Sequence, residues 1–339
     1  MEPAPARPGK GKRMERPSMD NSPEKPPVIL FNSLTGQPVI ISEARSRRPG
    51  GGGAEWKGEC PFCPGHESMT PPEIWAVGRE GGPENGPGWK LRLIPNLYPA
   101  LVEEAGPGCG PWARGRHEVL VLTPDHDRTL ARMEHQEVVE VLQAIRLRYS
   151  QLCAVEGVRQ VVVMVNQGRE AGASLEHPHA QLFALPLVSP LTLERGERFS
   201  AGEGCPLCIE MDSASAEGRM VIERGKWAAF SPRAPRFSYE TWTAGKVHRP
   251  HIAACDEGEL ESMGEVLHLL LRSLARCLSD PPYNLVLHCA PCGGEGDFHF
   301  YWELLPRLGR LAGFELGTGM FINPVPADAA ARTLREALP

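Results

Sequence analysis

Apolar positions along this chain of 339 residues fall into two registers. In one, Val138, Val141, Leu142 and Ile145 recur at i, i+3, i+4 and i+7, the spacing of one helix face, and Met263, Val266, Leu267 and Leu270 repeat it. In the other, short apolar runs bounded by turn-forming residues predict strands. Residues 28–31 and 38–41 form such a pair around Asn32-Ser33-Leu34-Thr35-Gly36, and further runs lie at 91–101, 117–122, 161–165, 227–230 and 284–287.

Taken in order, these elements repeat. Helix, strand and histidine follow His126 as far as His177, and the same series follows His248 as far as His299. Both histidine pairs are 51 residues apart. Each copy opens on a Cys-x-x-Cys pair, Cys60/Cys63 and Cys205/Cys208, with an aromatic apolar run (91–101 and 227–230) between that pair and the histidine. The chain therefore reads as two copies of one α+β unit, 28–195 and 196–339. Residues 1–27, rich in Pro, Lys, Arg and Glu, hold too little apolar surface to offset the entropy of ordering and are expected to be a disordered tail.

A hydrophobic content of 41% is enough for two substantial cores, and a net charge of −6 gives no general attraction to nucleic acid. No apolar run approaches the roughly 20 residues of a membrane span. With no export signal read at its start, the chain is expected to be a soluble cytoplasmic protein with neither a nucleic-acid nor a membrane partner. Six of the ten cysteines form three Cys-x-x-Cys pairs, the third being Cys289/Cys292, and paired thiols in this setting favour metal over disulfide.

Two thiolates of one such pair grip a tetrahedral Zn²⁺, which then needs two further ligands. For Cys60 and Cys63 the candidates are His66, His117, His126 and His177. Only His126 and His177 have counterparts in the repeat register, so the first set is Cys60, Cys63, His126 and His177, and its counterpart is Cys205, Cys208, His248 and His299. His66, His117 and His251 are left as structural or surface residues.

The stretch Glu176-His177-Pro178-His179-Ala180-Gln181 follows the turn-rich segment 166–174. Histidines two apart on an extended chain point to opposite faces, so His177 serves the metal while His179 faces a substrate. Ser174 and Gln181 add uncharged partners for a phosphoryl oxygen, and the cluster Arg45-Ser46-Arg47-Arg48 reads either as a phosphate clamp or as a solvated loop entering the flexible run 50–53. In the second copy His179 falls on Tyr301, Gln181 on Glu303 and Asn166 on His288. A neutral imidazole attacks phosphorus and leaves again, whereas a tyrosine, with a pKa of about 10, forms a far more stable ester. One chemical site per chain follows. His288 with Cys289 and Cys292 reads as a different second site or as core.

His177-Pro178-His179-Ala180-Gln181, Asn166 and Ala171-Gly172-Ala173-Ser174, Cys60-Pro61-Phe62-Cys63 and Thr123-Pro124-Asp125-His126 together resemble the galactose-1-phosphate uridylyltransferase family of the histidine-triad superfamily, over about residues 29–337. The resemblance implies a duplicated histidine-triad-like fold, two antiparallel-sheet halves each with packed helices, and a homodimer in galactose metabolism. It implies that His179 attacks the α-phosphorus of UDP-glucose, releases glucose 1-phosphate and passes UMP to galactose 1-phosphate. Gln181 and Ser174 would hold phosphoryl oxygens, the carbonyl before the nucleophile would orient its ring, and Asn166, Arg45 and Arg48 would contact nucleotide or phosphate. Cys60, Cys63, His126 and His177 would hold a structural zinc.

Two departures bear on substrate. His299-Phe300-Tyr301 replaces the family's second His-x-His, so a second metal site is either lost or rebuilt around Cys205 and Cys208. The segment 313–324 lacks the polar Glu and Gln by which uridylyltransferases hold a hexose, and is more similar to the ADP-glucose phosphorylases, where inorganic phosphate is the acceptor. A histidine-triad hydrolase and a non-catalytic zinc-stabilised scaffold are the remaining readings.

Overall fold

The computed structural model describes residues 25–48, 58–79, 81–104, 113–202, 204–294 and 296–339. The expected tail, apart from residues 25–27, and the glycine run 50–53 lie outside the described residues. Strands β1 (Val28–Phe31) and β2 (Pro38–Ile41) form the expected hairpin, closed by Asn32, whose Oδ1 accepts from the amides of Leu34 and Thr35. Among the described residues no helix is long and apolar enough to cross a membrane.

The other strands are β3 (Trp75–Val77), β4 (Leu91–Pro95), β5 (Arg116–Val121), β6 (Gln160–Gln167), β7 (His179–Leu185), β8 (Met220–Arg224), β9 (Trp227–Phe230), β10 (Thr241–Gly245), β11 (Tyr283–His288) and β12 (Tyr301–Pro306). They build a single antiparallel sheet in the order β3-β4-β5-β7-β6-β11-β12-β10-β9-β8. The order is palindromic about the β6/β11 junction, as a duplicated unit requires. Where two separate sheets were expected, the strands form one: β6 and β11 pair from Tyr283↔Gln167 to Leu287↔Val163. Two apolar edges that could each hydrogen-bond were more stable paired than exposed.

The repeat extends to the helices, α1 (His135–Cys153), α2 (Pro190–Ser200), α3 (Pro206–Ala216), α4 (Glu257–Leu278), α5 (Gly313–Thr318) and α6 (Ala327–Glu336). Helix α4 starts on a capping box in which Asp256 Oδ1 accepts from the Glu259 amide at 2.8 Å and Glu259 Oε2 accepts from the Asp256 amide at 3.0 Å. Val138, Val141, Leu142 and Ile145 of α1 and Met263, Val266, Leu267 and Leu270 of α4 are all buried in one core cluster, together with Ala180 and Leu182 of β7 and Phe300, Trp302 and Leu304 around β12. The two helices therefore cover the same sheet face and touch each other. At Gly264 they come so close that a Cβ would lie 2.7 Å from Val139 Cγ2.

The opposite face differs between the halves. Over β11 and β12 it is filled by α2 and α3, whose Phe199, Leu207 and Met211 pack with Phe298 and Tyr301 in a second cluster. Helix α2 spans the expected boundary at 195/196. Over β5 and β7 the same face is open to a cavity.

Candidate functional site

Strand alternation sets the site. Ala180, Leu182 and Ala184 of β7 point into the core under α1, so His179 and Gln181 point to the other face. There they line a cavity of about 160 Å³ with Arg45, Arg48, Phe62, Asn96, Tyr98, Ser174 and Leu175. Arg45 and Arg48 arrive on and just after a 3₁₀ turn (Glu43–Arg47) following the hairpin, and Arg45 is anchored by donating Nη1 to the Tyr98 carbonyl at 3.2 Å. Ser174 comes from the loop behind β6. That loop leaves the strand at Gly168, whose φ of +79° and closeness to Pro282, 2.9 Å from a built Cβ, admit only glycine.

The nucleophile candidate is 5% exposed. Its Nδ1 lies 2.8 Å from the His177 carbonyl oxygen, which can only accept, so the proton sits on Nδ1 and Nε2 keeps its lone pair. Burial lowers the pKa of His179, against the smaller opposing effect of that hydrogen bond, and favours the neutral ring. Phe62, held between Cys60 and Cys63, packs edge-on against His179 with ring centroids 5.3 Å apart.

Cys60, Cys63, His126 and His177 come together as the repeat register required, with one ligand atom from each all within 4.8 Å of one another. Nδ1 of His177 is 3.7 Å from Cys60 Sγ and 3.6 Å from Cys63 Sγ, and Nδ1 of His126 is 3.4 Å from Cys63 Sγ. Ligands of a tetrahedral ion at Zn–S and Zn–N bond lengths stand roughly 3.3–3.8 Å apart, so the donor set fits. His177 gives its Nε2–H to the Thr123 carbonyl at 2.8 Å, which reserves Nδ1 for a metal. Cys205, Cys208, His248 and His299 form a second group of the same kind. There Nδ1 of His299 is 3.5 and 3.4 Å from the two sulfurs, and His248 Nε2–H donates to the Phe298 carbonyl at 3.1 Å.

Three expectations change. The pair Cys289/Cys292 is no chelate: Cys292 is joined by a disulfide to Cys153 at the end of α1, and Cys289 is a core thiol pushed by burial up to about 12. Asn166 shares the sheet face of His179 but does not line the cavity; its Oδ1 accepts from Asn284 Nδ2 at 2.7 Å across the β6/β11 junction. His117, set aside because it lacks a repeat partner, is buried beside the site with Nε2 3.0 Å from Gln181 Oε1. Its strand parity with Val119 and Val121, which pair with Gln181 and His179, was the available signal.

In the second half, among the described residues, the corresponding face is filled. His288 Nδ1 accepts from Arg195 Nη1 of α2 at 2.7 Å and Nε2 donates to Glu303 Oε2 at 2.9 Å, while Arg236 Nη2 donates to Glu303 Oε1 at 2.6 Å. Burial alone would raise the Glu303 pKa, but the His288 hydrogen bond and the charges of Arg236 and Arg195 outweigh it and hold it at about 2. Burial lifts the Tyr301 phenol above its ordinary pKa, which keeps it protonated. The space that holds a cavity in one half is here a closed ion-pair network.

A family model described as "Galactose-1-phosphate uridyl transferase, N-terminal domain" matches residues 111–189. The chain is 31% identical to an ADP-glucose phosphorylase of Arabidopsis thaliana, over 94% of this chain and 95% of that one. It is 30% identical to a galactose-1-phosphate uridylyltransferase of Thermotoga maritima, over 91% and 98%. A crystal structure of the Arabidopsis ADP-glucose phosphorylase with bound ADP-glucose superposes with a TM-score of 0.73, covering 91% of this chain and 99% of that one at 31% identity. A uridylyltransferase structure gives 0.75 over 91% and 97% at 26% identity.

Proposed function

Because the chain belongs to the galactose-1-phosphate uridylyltransferase family, we propose that it carries a nucleoside monophosphate from a nucleotide sugar to a hexose 1-phosphate on Nε2 of His179. It is an enzyme of the nucleotidyltransferase type. One observation carries the finer reading: the His177 carbonyl holds the proton of His179 on Nδ1, so the ring that lines the cavity keeps a lone pair on Nε2.

That lone pair attacks the α-phosphorus of the donor. A P–N bond forms as the bond from phosphorus to the bridging oxygen breaks, and hexose 1-phosphate leaves with the electron pair. An incoming phosphate oxygen then attacks the same phosphorus, the P–N bond breaks, and the imidazole regains its lone pair. Gln181 and Ser174 donate to the non-bridging oxygens as charge shifts onto them, and Arg45 and Arg48 hold the remaining phosphate. Cys60, Cys63, His126 and His177 would hold a zinc that supports the fold, since the four side chains together supply a full tetrahedral donor set. Cys205, Cys208, His248 and His299 would supply the donors for a second metal, zinc or iron, if one is bound.

A second acceptor, inorganic phosphate, has its own support. The segment that would meet the sugar carries α5 with Phe314 and Leu316 exposed, followed by exposed Met320, Phe321 and Ile322, and offers few groups for hexose hydroxyls. The ADP-glucose phosphorylase among the relatives fits that chemistry. The homodimer belongs to this reading through the family resemblance.

Incubation with labelled UDP-glucose and ADP-glucose, then with galactose 1-phosphate or phosphate, tests the reading. An acid-labile nucleotidyl adduct that is lost in His179→Ala and discharged by the acceptor is expected. Steady release to water would instead indicate hydrolysis, and no adduct with no turnover would leave a scaffold.

A further inference from the structure

We propose that His117 is a positioning residue for Gln181: its Nε2–H holds the carboxamide oxygen, so that both amide hydrogens of Gln181 face the phosphoryl group carried by His179. The proposal rests on the nucleotidyl-histidine reading and adds the element that gives Gln181 its polarity.

The assignment starts from a group whose role has no alternative. The backbone N–H of Ala100 lies 3.1 Å from Nδ1 of His117 and can only donate, so Nδ1 holds a lone pair. A neutral imidazole then carries its proton on Nε2. His117 is 3% exposed, and burial lowers its pKa to about 3, which keeps a second proton off the ring over the range in which the enzyme works. Nε2 lies 3.0 Å from Gln181 Oε1, the acceptor it needs.

Asn96 is the other polar group beside Nε2. Its Nδ2 is 3.1 Å from the same Nε2, but its Oδ1 already accepts from the Tyr98 amide at 2.8 Å, so the near atom is a donor too. Of the two groups beside Nε2 only Gln181 Oε1 can accept, so the proton fixed on Nε2 by the Ala100 amide goes to Gln181. Phe183 stacks on the imidazole with centroids 3.9 Å apart and fixes the ring plane. With its oxygen engaged, Gln181 has only N–H groups left for the cavity. Those are what a phosphoryl oxygen gaining charge requires, whereas the flipped amide would present lone pairs to an anion.

Single-turnover adduct formation from labelled UDP-glucose and ADP-glucose separates this role from packing. His117→Asn keeps an acceptor for the Ala100 amide but no longer reaches Gln181. It should slow the chemical step about ten-fold and move half-saturation less than about two-fold. His117→Gln, whose terminal amide reaches the place of Nε2, should recover most of the rate. In a Gln181→Ala background His117→Asn should cost nothing further. Equal rates for the Asn and Gln variants, or multiplicative losses in the double variant, would overturn the proposal while leaving the His179 intermediate intact. An adduct that persists in His179→Ala would instead remove the reading beneath it. In the parent protein the imidazole ¹⁵N shifts of His117 should report the Nε2–H tautomer, and the Nδ1–H form would refute the assignment whether or not the variants fold.

Discussion

His177 and His179 stand two residues apart and are held by opposite nitrogens. His177 donates from Nε2 to the Thr123 carbonyl and turns Nδ1 toward two sulfurs; His179 donates from Nδ1 to the His177 carbonyl and keeps Nε2 for the cavity. One backbone group thus links the Cys₂His₂ cluster to His179. A shift of the first ring moves the carbonyl that sets the tautomer of the second.

Removal of a thiolate ligand tests that link. Cys63→Ala should lower metal content and the unfolding midpoint together, with a loss on the order of 3 kcal/mol or more. Phe62, its neighbour, packs on His179, so adduct formation should fall further than the loss of folded protein explains. Metal stoichiometry, a melting curve and adduct yield per folded molecule check it; unchanged metal content would refute the ligand assignment.

Tyr301→Phe should form the adduct at a rate within about two-fold of the parent, because a buried phenol packed among Trp242, His288 and Arg195 has no nucleophilic part. Loss of labelling in that variant would contradict one chemical site per chain.

Acid should loosen the cavity wall before the core. Hydrogen bonding to Arg79, ahead of those to the Asn85 amide and Arg92 and against the opposing effect of burial, holds Glu73 at about 2. Arg92 in turn donates to Thr70 Oγ1 at 3.0 Å, and Thr70 lines the cavity. A depressed carboxylate stabilises the fold above its unfolded pKa of about 4.5, and that contribution is lost as pH falls toward 2. Parent protein should therefore lose stability over that window, and Glu73→Gln, less stable at pH 7, should lose less of it. Parallel denaturant titrations at pH 7 and pH 3 check this.

Gly264→Val should cost about 2–3 kcal/mol through overlap with Val139, lowering the melting temperature while adduct formation per folded molecule stays unchanged.

Where local rules act alone, the chain was legible. The hairpin at 28–41, the apolar faces of α1 and α4 and the histidines of both Cys₂His₂ groups follow from periodicity and a fixed repeat offset, since α4 (Glu257–Leu278) starts 122 residues after α1 (His135–Cys153) and β12 (Tyr301–Pro306) 122 after β7 (His179–Leu185), while the cysteine pairs follow from their order in each copy. What the repeat did not carry was missed. His117 has no counterpart, so the register that selected His126 discarded it, although strand parity placed it beside Gln181. Cys153 is no part of a Cys-x-x-Cys pair, so its bond to Cys292 depends on how far α1 reaches across the sheet. The fusion of two sheets at β6/β11 is a long-range pairing with no local signature.

That fusion makes each half a fragment. Were the polypeptide cut behind β7, both pieces would carry a raw strand of mostly apolar residues, β6 in one and β11 in the other, and lose the helix that roofs their shared interior. Such pieces would seek company, in their own copies or in aggregates, sooner than live as small independent proteins. The half that holds Tyr301 where the other holds His179 is thus the missing border of its neighbour.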